Sequence, residues 1–175
     1  MTYSAKSTRN RHWARLFLIG MWVLTTACSS TTRLTPLVRA PADRGAEEEE
    51  IRESIVRYQI AHWYTNVEAE VFFVSVEDAD PSPEFLHRFF GMPRGVEGGS
   101  RADAPKGSQR WVLEKSTRKH GALLFLSAIQ WHSTDLVKVD GGFYCGVTCA
   151  ATGEYRVQRK NEHWTVTNFD VSLIS

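Results

Sequence analysis

The stretch Gly121 to Ser175 constrains the fold most, because its apolar residues recur with the two-residue period of β-strands rather than the 3.6 of a helix. Leu123, Phe125, Ile129 and Trp131 lie on one parity, and Leu124, Leu126 and Ala128 on the other. A strand apolar on both faces is buried on both, which predicts a central position in a sheet. Ser133-Thr134-Asp135 is a turn signal. A second strand is expected from about Leu136 to Tyr144, with Val137, Val139 and Phe143 on one face and Gly141-Gly142 permitting a bulge or sharp bend. Tyr155 and Val157 then alternate with Glu154, Arg156 and Gln158, the pattern of a half-wet strand. After a polar hairpin loop at Arg159-Lys160-Asn161-Glu162, a last strand carries Trp164 and Val166 on one parity and Phe169, Val171 and Leu173 on the other. Keeping both sets on the core side requires one extra residue near Asn168, hence a β-bulge there. Connections this short make the four strands antiparallel.

Cys145-Gly-Val-Thr-Cys149 sits at the middle turn. Three readings are open: a redox pair, half a metal site, or a disulfide that pins the turn. The spacing is not C-x-x-C, no second cysteine pair completes a zinc site, and no histidine follows at ligand spacing. In an oxidising compartment the structural disulfide is the expected state. Closing so small a loop stabilises by only about 2 kcal/mol in the chain-entropy model.

The compartment is written at the other end. Lys6, Arg9, Arg11 and Arg15 form a basic head without an acid, and Leu16 to Leu24 is a nine-residue apolar run. A bilayer takes about 20 residues to span, so this run suits a signal-peptide core. Ala27-Cys28-Ser-Ser follows. The arrangement resembles the lipobox leader of bacterial lipoproteins, with Thr25 where leucine is commonest. The resemblance implies a signal peptide over residues 1–27, acylation of Cys28 as the mature N-terminus and, from the serine after it, an outer-membrane anchor facing the periplasm. One lipidated cysteine and one disulfide between Cys145 and Cys149 then account for all three cysteines.

Cleavage before Cys28 removes four basic residues and no acid, taking the formal charge from +1 to −3. Such a balance offers no basic excess for nucleic acid. Residues 28–45, rich in Ser, Thr, Pro and Arg, read as a flexible tether. Residues 46–175 are the length of one α+β domain. Glu47 to Glu50 complement a helix start, and Ile51, Ile55 and Tyr58 recur at helical spacing, with Val56, Ile60 and Trp63 beside them. Val71 to Val76 is a first strand. Ser82-Pro83-Glu84 opens a short second helix whose apolar face is Phe85, Leu86, Phe89 and Phe90, ended by Gly91 and Pro93. Met92 to Ser108 reads as a mobile surface loop, and Trp111-Val-Leu113 as a short strand.

The six histidines are scattered, and neither a Gly-x-Ser-x-Gly elbow nor a His-Glu-x-x-His helix occurs. No catalytic residue, metal or cofactor is expected. The candidate pocket lies between the first helix and the sheet, near His62, Trp131 and His132. Gly141-Gly-Phe-Tyr-Cys, the Tyr-x-Val strand and the closing Trp-x-Val strand resemble a group of uncharacterised secreted bacterial proteins over roughly Glu49 to Ser175. That resemblance implies a fold and no activity. Helix, strand, short helix and antiparallel meander are also similar to cystatin-like and NTF2-like rolls. The expected function is therefore a non-enzymatic envelope lipoprotein, bound to the membrane through Cys28 and to an unknown protein or small-molecule partner. The alternatives are a ligand-binding or enzymatic roll and a thiol-redox protein using Cys145 and Cys149.

Overall fold

The computed structural model describes residues 44–62, 69–104, 111–146 and 148–174, all within one compact unit, Pro36–Ser175. The leader, Cys28, most of the tether and Trp63 lie outside the described residues. Two helices and eight strands follow in the order α1 (Arg44–His62), β1 (Val71–Val76), α2 (Pro83–His87), β2 (Gly95–Gly98), a 3-10 turn (Gly99–Arg101), β3 (Ala102–Asp103), β4 (Val112–Glu114), β5 (His120–Trp131), β6 (Leu136–Gly146), β7 (Cys149–Lys160) and β8 (His163–Ile174). The class is α+β, rich in strand.

The four C-terminal strands form the expected meander, β5-β6-β7-β8, antiparallel throughout. The sheet as a whole is mixed, because β1 pairs parallel with β5 and β2 parallel with β1. Its main path runs β2-β1-β5-β6-β7-β8. Parallel neighbours need a crossover, and Glu77 to Arg94, carrying α2, supplies it. Gly95-Val96-Glu97-Gly98 lies inside the segment expected to be a loop. Four residues with two glycines carry no alternation; what orders them is the ladder to β1, from Val71↔Gly95 to Val74↔Gly98.

Local chemistry explains the boundaries. Ser82 Oγ accepts the Phe85 amide at 3.0 Å, Pro83 occupies the first turn of α2, and Gly91 ends the segment at φ +83°. Asn161 and Glu162 both have φ near +50 to +66°, the two-residue type I′ geometry that suits the twist of β7 and β8. Glu77 and Asp78 adopt the same conformation after β1.

Bulges decide which side chains share a face. The predicted bulge near Asn168 is present: Arg156 pairs with Asn168 but Val157 with Val166, leaving Thr167 extra. It puts Trp164 and Phe169 in one buried cluster. A second slip, between Thr152 and Gly153, leaves Ser172 extra. Leu173 therefore departs from the expected core face and is 62 % exposed. A third slip, between Leu126 and Ile129, brings Ile129 and Trp131 onto the side of Leu124 and Leu126, opposite Val139 and Val137. Leu123 and Phe125 stay on the other face. Thus β1 is the strand buried on both sides, by Phe72 and Val74 on one and Val71 and Phe73 on the other.

The main cluster joins Ile51, Ile55 and Val56 of α1 to Phe85 and Phe89 and to Val137, Val139, Tyr155 and Val157 of the sheet. Phe90 does not join it. At 86 % exposure it leaves the apolar face expected for this segment, because the backbone tightens to successive i→i+3 bonds from Arg88 onward. Arg88 ties the two helices, with Nη2 2.7 Å from Glu49 and Nη1 3.1 Å from Glu53. The two expected pairs along α1, Glu48–Arg52 and Glu53–Arg57, are made.

Candidate functional site

The structure separates the three residues of the expected pocket. His62 is the last residue of α1, exposed, with Nδ1 3.0 Å from the Tyr58 carbonyl and its ring stacked on Tyr58. Trp131 lies by the other end of that helix, where the Arg44 guanidinium sits 5.5 Å from its ring centroid and Trp164 meets it edge-on at 5.7 Å. Eighteen residue steps of helix put about 27 Å between Arg44 and His62. His132 is exposed in the β5–β6 turn, its amide bonded to the Leu136 carbonyl at 3.0 Å. So Trp131 and His132 are neighbours and His62 is not.

The face of the sheet towards α1 carries the main cluster of buried side chains. The opposite face is covered at one end by Val71, Phe73 and Val112, against which Leu123 and Tyr144 pack. Beyond that cap a cleft of about 300 Å³ opens, lined by Phe125, Ser127, Asp140, Thr152, Glu154, Asp170 and Ser172. Register creates it. Asp140 lies opposite Glu154, and Glu154 opposite Asp170, so three carboxylates stand abreast on β6, β7 and β8. Directly opposed Cβ atoms are about 4.5–5.5 Å apart, and like charges so placed are destabilising. Lys138 Nζ reaches Glu154 at 2.7 Å; Gln130 Nε2 donates to Asp140 at 3.2 Å and Asn168 Nδ2 to Asp170 at 2.5 Å. Gly141 and Gly153 complete the lining beside Phe125.

Chemically this groove presents acceptors and hydroxyls around an aromatic floor. It suits a partner that brings positive charge or hydrogen-bond donors. Among the described residues, no three His, Cys, Asp or Glu side chains converge as metal ligands. Asp140 opposite Glu154 was legible in the sequence, since both are seven residues from the centre of the Cys145–Cys149 turn. Asp170 was legible one step further on, because the extra residue expected near Asn168 is what brings it opposite Glu154.

A second polar cluster is closed and structural. Glu114, 4 % exposed, accepts from Ser116 at 2.6 Å, from Thr117 and from Arg101 at 2.8 Å. These bonds hold its carboxyl down at about 2. Asp80 accepts the Ser100 amide and hydroxyl, which lowers its carboxyl in the same way. Asp80 fastens the chain just after β2, and Glu114 ties Arg101 to the end of β4.

Cys145 and Cys149 face each other across the β6–β7 hairpin with sulfurs at disulfide distance and Cα atoms 5.3 Å apart. Cys145 is fully buried and Cys149 partly so. No protein-family model matches the chain, and no curated protein or solved structure matches it either.

Proposed function

We propose that this chain is a non-enzymatic envelope lipoprotein, acylated at Cys28, anchored in the outer membrane on its periplasmic side and displaying one binding domain. The observation that carries the reading is the order basic head, nine-residue apolar run, Ala27-Cys28. Among the described residues no helix is long and apolar enough to cross a membrane, so a spanning segment is not what they offer. Mass spectrometry of the membrane-extracted protein tests the anchor. A diacylated N-terminal Cys28, lost to the soluble fraction in Cys28→Ser, is expected; an intact Met1 N-terminus in the membrane fraction refutes it.

Three further elements belong to the same proposal. The helices lie over the antiparallel meander as a roll, with its analogy to cystatin-like and NTF2-like folds and to the secreted bacterial group; the burial of Ile51, Ile55 and Val56 with Tyr155 and Val137 supports this. Cys145 and Cys149 form the disulfide that pins the hairpin, so alkylation without reductant leaves both unlabelled. A burial this complete at Cys145 disfavours a redox role, which needs an accessible thiolate. Finally, the acidic groove is the contact surface. An Asp140→Asn, Glu154→Gln, Asp170→Asn variant keeps the fold and the anchor and loses the envelope cross-links that the parent forms.

A further inference from the structure

The stripe that α1 buries consists of Ile51, Ile55, Val56 and Gln59. Gln59 is its odd member. It is 1 % exposed, and neither its amide oxygen nor its amide nitrogen has a partner among the described residues. Tyr155 of β7 repeats the pattern at 0 % exposure, with a hydroxyl that meets no protein group. Its ring crosses Gly141 on β6, where a Cβ would lie 3.2 Å from Cε2. It is stacked on Phe169 at 4.2 Å and edge-on to Tyr58, next to Gln59 on α1, at 6.5 Å. Burial, with Tyr58 adding to it, pushes the Tyr155 hydroxyl well above the usual phenol range, so it stays neutral and keeps its proton to donate. Folded chains pair roughly nine in ten or more of their buried polar groups. Here a side chain of α1 and one of β7 leave a donor, an acceptor and a hydroxyl without partners among the described residues.

We propose that this part of the interface between α1 and the sheet is an internal binding site for a small neutral molecule that both donates and accepts hydrogen bonds, held by the Gln59 amide and the Tyr155 hydroxyl. Neutrality follows from the surroundings, since the side chains of the buried cluster that holds Tyr155, Ile55, Val56 and Phe169 among them, cannot solvate a charge. Two sources share this chemistry, water and a hydroxyl- or amide-bearing ligand. The proposal does not depend on the lipid anchor.

The full-length chain in detergent tests it through Tyr155→Phe and Gln59→Met. Phenylalanine keeps the ring stack and removes only the oxygen. If an occupant satisfies that oxygen, Tm falls by roughly 3–5 °C; if the oxygen is bare, its removal relieves a desolvated group and Tm rises. Cross-relaxation between water and the Gln59 side-chain amide protons identifies water as the occupant. A small-molecule adduct in native mass spectra, absent from Gln59→Met, identifies a ligand instead. Either signal with a lowered Tm upholds the site. A raised or unchanged Tm in Tyr155→Phe, or the absence of both signals, overturns it.

Discussion

Gly142 is where one methyl group should do the most damage. It sits in β6 between β5 and β7, opposite Phe125 and Thr152. A Cβ built there would stand 2.9 Å from Phe125 Cζ and 2.9 Å from Thr152 Cα, and far closer still to the Ala151 carbonyl oxygen. Phe125 is a side chain and can swing away. The Ala151 carbonyl is backbone in the β6–β7 ladder, which continues in register from Leu136↔Gln158 to Tyr144↔Ala150. Restoring an ordinary carbon–oxygen contact of about 3.3 Å means opening the two strands locally by more than about 1 Å. That lengthens the two flanking ladder bonds beyond use.

Two lost bonds at about 1 kcal/mol each, with about 1–2 kcal/mol for overpacking at Phe125, give about 3–4 kcal/mol for Gly142→Ala. For a domain of this size the midpoint should drop by about 10–15 °C in thermal denaturation followed by circular dichroism. Gly95→Ala is the control: its Cβ would meet only Val71 Cγ2, at 3.8 Å, and its midpoint should stay within about 2 °C. A Gly142→Ala protein melting within about 3 °C of the parent would show that the β6–β7 ladder is not as close as described, and would refute the reasoning.

Glu114→Gln should flatten the acid limb of stability. The carboxyl is depressed to about 2 in the fold, from 4.5, so its contribution is complete above about pH 4.5 and is lost as pH falls towards about 2. Parent and variant should therefore converge in urea midpoint across that window. Arg88→Met breaks the pairs to Glu49 and Glu53 between the helices; being a third exposed, they are worth about 1 kcal/mol, and the loss should shrink in 1 M salt. Asp170→Asn removes one of three adjacent carboxylates and should raise the unfolding free energy from urea titration by about a few tenths of a kcal/mol at low salt, with no gain at high salt.

Much of the meander was legible because alternation and turn chemistry both act over a few residues. The cysteine hairpin, the Asn161-Glu162 turn and the bulge near Asn168 are all local consequences of side-chain parity. What escaped was non-local. The parallel ladder of β1 and β2 is ordered by a partner more than twenty residues away, and Gly95-Val96-Glu97-Gly98 carries no sign of it. The bulge after Leu126 was hidden for a different reason. Ile129 and Trp131 share odd parity with Leu123 and Phe125, so unbroken alternation places them together. Only the pairing with Val139 and Val137 shows that they belong with Leu124. The pocket failed through length, since a helix of 19 residues carries His62 away from Trp131.

The same slips explain why the groove lies where it does. With the bulge at Thr167 alone, alternation would have kept Leu173 on the core side with Phe169. The extra Ser172 turns Leu173 outward, while the extra Thr167 brings Asp170 level with Glu154 and Asp140. Stability alone gives no reason for that alignment, because three opposed carboxylates repel and, among the described residues, only Lys138 forms an ion pair with them. An uncharged residue at position 170 would relieve the repulsion at no cost in ladder bonds. A chain that keeps two bulges on one strand and a repelling row beside them holds a surface that its own packing does not need. That is the physical ground for the partner contact proposed on this face.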